Sequence, residues 1–205
     1  MKRSLIQFGL AVLAFYAALW AALRLSPDGT ASNAVAVVAI GLGALIVRPG
    51  WNITPSRPSR YWAILYFLLI GSAAVAASLL RLFKVPLPYD MATLNIVAIV
   101  PSAMAITGVE ELLFRQLMFR WLEKQGLSGR VAVVATAIAF GVGHLGPVIT
   151  QTAATASFYL LLSPYMLWVG LLLGEIRNVT GSWVMSWLGH AAYNLAVLYL
   201  LALRT

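Results

Sequence analysis

Apolar runs of helical length, separated by short stretches of Arg, Lys, Pro and Gly, recur along the whole 205-residue chain. At about 20 apolar residues per bilayer crossing, they predict seven spans, at residues 5–23, 31–47, 61–82, 91–119, 131–144, 157–174 and 182–203. Six to eight crossings bracket the reading, and the expected fold is an all-α polytopic helical membrane protein. The first run follows Met1-Lys2-Arg3, as a signal peptide would. It is longer than a typical signal core, and Arg24 stands where small residues should precede a cleavage site, so it reads as a retained span.

Composition agrees with this pattern. Hydrophobic residues make up 61% of the chain and charged residues 10%, with mean hydropathy +0.88; soluble domains hold about 25% charged residues. The net charge of +8 does not point to nucleic acid, because the basic residues lie in short loops between spans rather than on a soluble surface. Lys2, Arg3, Arg48, Arg57, Arg60, Arg120, Lys124, Arg130 and Arg177 fall at one set of span ends, against Arg24, Arg81, Lys84 and Arg204 at the other. That asymmetry predicts a cytoplasmic N-terminus; the expected location is the inner (plasma) membrane of a bacterium. Trp20, Trp51, Trp62, Trp121 and Trp183 sit near span ends, as interfacial anchors do. The absence of cysteine removes disulfides and thiolate chemistry and weakens a closed structural zinc site.

The basic, Pro-rich loop at 48–60 divides the chain into accessory helices, residues 1–90, and a chemical half, residues 91–205, within one membrane domain. No internal repeat is visible, which argues against an inverted-repeat transporter. Only the second half carries acids and histidines inside apolar sequence: Glu110-Glu111, His144 and His190. Ionisable side chains within a span are costly and mark functional sites. Counted from the cytoplasmic span ends at 1.5 Å per residue, Glu110 lies roughly 15 Å deep, His144 about 21 Å, His190 roughly 12 Å and Asn194 about 18 Å. Side chains from three helices are therefore expected to meet within the bilayer, all on the C-terminal four spans.

The spacing refines this. Glu111 and Arg115 are i, i+4 and can pair on one helix face, whereas Glu110 points about 100° away. One carboxylate can thus be neutralised while the other faces a cavity. His190 and Asn194, also i, i+4, present two hydrogen-bonding groups side by side. His144 follows Gly141 and Gly143 and precedes Gly146-Pro147, which places it at a helix end. Each feature has a plain structural explanation: Glu111–Arg115 as a buried pair, His144 as a helix-end residue, His190 and Asn194 as interhelical glue. Their coincidence in depth favours chemistry. Glu175 and Arg177, at the presumed end of the sixth span, read as a solvated loop pair.

A desolvated carboxylate can act as general base toward water, a neighbouring histidine can carry the proton to a leaving amine, and paired donors suit a tetrahedral oxyanion. That combination amounts to amide hydrolysis without a covalent nucleophile. The competing reading is a catalytic zinc held by His144, His190 and a glutamate. No HExxH motif supports it, so no cofactor is expected, with zinc the alternative. A proton relay through Glu110 and His144 is a third possibility.

The same residues carry a resemblance. Glu110-Glu111-x-x-x-Arg115, Phe140-x-x-x-His144 and His190-x-x-x-Asn194, in that order on successive apolar segments, resemble the CPBP family, the CAAX-protease and bacteriocin-processing membrane proteins also called the Abi family. The run from Gly174 to Ser182 resembles the family's lead-in to its last motif, and the likeness extends over about residues 95–200. It implies a glutamate-type intramembrane endopeptidase acting on a membrane-associated or lipid-anchored protein. In it the residues at Glu110 and His144 would activate water, those at His190 and Asn194 would form an oxyanion hole, and Glu111, Arg115 and Phe140 would support them. Gln116 departs from the family, where a glycine is common; the position concerns packing. The resemblance also admits a non-catalytic scaffold or a bacteriocin-immunity protein of the same fold.

Overall fold

A computed structural model describes residues 2–25, 60–85, 96–146, 148 and 153–202. The described residues are helical and contain no strand. Helix α1 is Lys2–Leu25, α2 is Tyr61–Leu82 and α3 is Ile96–Glu111. A π-helical segment, Leu112–Met118, joins α3 to α4, Phe119–Lys124. Helix α5 is Gly129–Gly143, α6 is Ala153–Thr180 and α7 is Trp183–Ala202. The span expected at 31–47 and the start of the one expected at 91 lie outside the described residues. Among the described residues, three helices have the length and hydropathy of a complete crossing, at Tyr61–Leu82, Ala156–Thr180 and Trp183–Ala202, and shorter apolar helices run at Leu5–Ala21 and Gly129–Gly143. The protein is a helical membrane protein, as the hydropathy pattern implied.

Local chemistry explains where the helices begin and end. The Ser128 hydroxyl accepts from the Val131 N–H at 3.4 Å, so α5 starts two residues before its first strongly apolar position. Helix α6 runs ten residues at its two ends beyond the expected 157–174, because Glu175-Ile-Arg-Asn remains helical until Gly181, whose φ of 73° reverses the chain.

Helices α5 and α6 form the most extensive packing pair. Gly170 and Gly174 on α6 make this possible: a Cβ at Gly170 would stand 3.1 Å from the Ala137 Cα, and one at Gly174 would stand 3.1 Å from Val133. Small residues one turn apart let two backbones approach, which drives helix association where lipid is as apolar as the side chains. Helix α2 is tied in by hydrogen bonds from the Tyr66 hydroxyl to the Met185 carbonyl and from the Tyr165 hydroxyl to the Ser72 carbonyl. Helix α1 docks on the far end of α5, where the Tyr16 hydroxyl donates to the Ala139 carbonyl at 2.6 Å and its ring occupies the space above Gly143.

Candidate active site

The paired glutamates end α3, and the π-helical segment that follows sets their surroundings. There the Phe119 N–H reaches the Phe114 carbonyl, five residues back, and bypasses the Arg115 carbonyl four residues back. Such segments are rare and often accompany functional sites. The bypassed carbonyl accepts instead from Arg177 Nε on α6, at 3.2 Å. In the other direction, Arg115 Nη2 donates to the Gly170 carbonyl of α6 at 3.1 Å. Helix α6 thus holds both the main chain and the side chain of Arg115.

Arg115 in turn holds Glu111. Its Nε lies 3.4 Å from Glu111 Oε2, and neither side chain is exposed. The other Glu111 oxygen accepts from His190 Nδ1 at 3.0 Å. The opposite ring nitrogen of His190, Nε2, lies 3.8 Å from Glu110 Oε2. Glu110 retains 30% exposure where Glu111 has none. The two adjacent carboxylates are therefore separated as their angular offset implied: one sequestered between arginine and histidine, the other facing a cavity.

That cavity, about 410 Å³, is lined by Glu110, His144, His190 and Asn194 at its polar part. The four side chains expected to converge share one cavity. His144 caps α5, and its Nδ1 lies 2.8 Å from the Phe140 carbonyl. A carbonyl can only accept, so Nδ1 carries the hydrogen, and in the neutral ring Nε2 presents a lone pair. Phe140 packs edge-on against both histidine rings, with centroids 4.7 Å from His144 and 5.5 Å from His190, while the Arg115 guanidinium lies 5.3 Å from its centre. It is the apolar wall that the Arg115 guanidinium and both histidine rings share. Among the described residues, no three His, Cys, Asp or Glu side chains form a group that could hold a metal.

Two features escaped the sequence. Arg177 is not part of a solvated loop pair: it is buried on α6, bonded to the Arg115 carbonyl, with its Nη2 3.9 Å from Glu123 and its guanidinium 5.1 Å from the Phe119 ring. Glu175 accepts from the Asn178 amide instead. The π-helical segment also left no mark, since its residues are as apolar and as helix-compatible as their neighbours. A signal for Arg177 did exist, in a lone cation continuing an apolar helical run.

A family model described as type II CAAX prenyl endopeptidase Rce1-like matches residues 91–196. The chain belongs to the Rce1-like family. Rce1-like proteins are membrane proteases of the CAAX type, and this one is an integral membrane protein of that family. The matched region begins just before α3 and ends just after Asn194, so it holds every residue of the site, whereas α1 and α2 lie outside the Rce1-like region. No curated protein and no solved structure matches the chain.

Arg177 gives the site its first test. Arg177→Gln is expected to lower kcat about tenfold, the scale of one hydrogen bond to a charged group, with KM unchanged because Arg177 does not line the cavity. Arg177→Lys should not restore turnover, since a lysine lacks the fork that spans a carbonyl and Glu123. Equal losses in kcat and in melting temperature, both recovered by lysine, would reduce Arg177 to a packing role.

Proposed function

We propose that the protein is an intramembrane endopeptidase that hydrolyses a peptide bond of a membrane-associated or lipid-anchored protein with activated water. The observation carrying this reading is the division of labour between the adjacent glutamates. Glu111 is committed to Arg115 and His190, and Glu110 alone faces the cavity. In this reading residues 91–205 are the catalytic core and 1–90 are accessory helices, with the N-terminus in the cytoplasm of a bacterial cell.

Glu110 takes a proton from water, whose oxygen attacks the scissile carbonyl carbon. The separation of Glu110 Oε2 and His190 Nε2 is too long for a direct hydrogen bond, and a water about 2.8 Å from each could bridge them. As the carbonyl becomes a tetrahedral oxyanion, His190 Nε2 and the Asn194 amide stabilise it. Because the Nδ1 hydrogen of His190 is already given to Glu111, Nε2 donates only when the ring is an imidazolium. In that form the ring stands between the carboxylates of Glu110 and Glu111, 3.8 Å from one and 3.0 Å from the other. Collapse of the intermediate breaks the C–N bond, and the leaving amine takes the proton from Glu110 directly or through His144.

The mechanism requires no metal, and His190, with one ring nitrogen on Glu111 and the other toward Glu110, is a poor third ligand. EDTA and phenanthroline are therefore expected to leave activity intact, as are serine- and cysteine-directed reagents. Complete loss on chelation, recovered with zinc, would replace water activation by Glu110 with metal-assisted hydrolysis. The reading as a whole is tested by comparing protein termini in cells carrying the wild type and Glu110→Gln at equal levels. A small set of membrane-associated proteins should lose one cleavage each in the variant. Identical termini would favour a non-catalytic scaffold or immunity protein.

A further inference from the structure

The cavity is not symmetric about the site, and its direction carries a consequence for the substrate. One end of the bundle is marked by contacts among its basic helix termini. Arg120 and Arg177 both meet Glu123, Phe8 of α1 stacks on Trp121, and Tyr66 of α2 bonds the start of α7 at Met185. Arg60, Lys124 and Arg130 stand at this same end, which is the end expected in the cytoplasm. Heights along the helices can be counted from it at 1.5 Å per residue.

On α6, the lining residue nearest the basic end is Met166, about 16 Å from Arg177, and the farthest is Phe158, about 28 Å. On α7 the lining begins at His190, about 10 Å from the helix start, and continues to Leu201, about 27 Å. On α2 it includes Leu80, about 30 Å from Arg60. Glu110 and His190 therefore form a floor near mid-membrane, and the apolar walls rise away from the basic end. Between the floor and that end lie the buried Arg115, Arg177, Gln116 and Phe119, which fill the space.

We infer that the cavity opens toward the membrane face opposite the basic helix ends, so that the segment reaching Glu110 and His190 arrives from the non-cytoplasmic side. The substrate class narrows accordingly, to proteins whose cleavable segment is held at or in the outer leaflet. The direction of opening relative to the basic helix ends stands on geometry, and its sidedness on the distribution of basic residues; that the arriving segment is a substrate rests on the function proposed above.

The absence of native cysteine makes the test clean. Leu80→Cys and Leu198→Cys, both in the cavity wall, are compared with Phe83→Cys, exposed past the end of α2, and with Lys124→Cys at the basic end. Each full-length variant is treated with a membrane-impermeant maleimide in intact cells and again after permeabilisation. Both wall thiols are expected to be labelled in intact cells together with Phe83→Cys, and Lys124→Cys only after permeabilisation. Wall thiols that behave like Lys124→Cys, or that stay unlabelled from both sides, overturn the inference; so does labelling of Phe83→Cys only after permeabilisation. Repeating the labelling with Glu110→Gln added separates the outcomes, because sidedness does not need activity.

Discussion

Glu110→Gln is expected to lower kcat by about a thousandfold, the central range for removal of a general base, with the melting temperature in detergent almost unchanged. The substrate for this measurement is the one named by the comparison of termini. Stability should survive because Glu110 keeps 30% exposure and its 3.8 Å approach to His190 is too long for a direct hydrogen bond. An amide of the same shape still fills the cavity wall, so KM should move little. A variant that retains turnover removes Glu110 from the mechanism. One that loses turnover and melting temperature together assigns Glu110 to the fold instead.

The adjacent residue should behave in the opposite way. Glu111 and Arg115 are wholly buried, and removing one partner of such a pair leaves an uncompensated charge, costing about 3–5 kcal/mol. Arg115→Met and Glu111→Gln are each expected to destabilise the protein severely, Arg115→Met more so because it also releases the Gly170 carbonyl. The double variant should recover a large part of the stability, since a neutral pair of similar volume avoids the desolvation problem. It should not recover turnover, because Glu111 also fixes the orientation of His190 through Nδ1. Additive losses of stability in the double variant would show that the two side chains do not act as a pair. Recovered turnover would show that the orientation of His190 does not depend on Glu111.

These two glutamates mark what could and could not be read in advance. Their separation was legible because adjacent residues on a helix differ by about 100°, whatever the rest of the fold does. The convergence of His144, His190 and Asn194 on Glu110 was legible from depth, because each span enters the membrane at a recognisable polar end. The link from His190 to Glu111, by contrast, depends on how α7 lies against α3, and helical spacing says nothing about the rotation of one helix relative to another. Arg177 illustrates the same limit. A cation near a Gly-containing turn looks solvated until the neighbouring helix is seen to present a carbonyl bypassed by its own backbone.

The sequence by itself determined the class of the protein, most helix positions, the uneven placement of its basic residues between the two sets of span ends and the identity of the polar side chains that meet in the cavity. Those are consequences of local hydropathy, helical periodicity and the cost of charge in lipid, which act on a few residues at a time. Only the tertiary structure decided that the helix changes pitch after Glu111, that α6 clasps Arg115 at two points, and that the cavity rises from the glutamates away from the basic end. Each of these depends on the relative rotation and height of helices distant in sequence. That arrangement is set by the packing of Gly170 and Gly174 against α5 and by hydrogen bonds between side chains and distant backbone, which no single segment encodes.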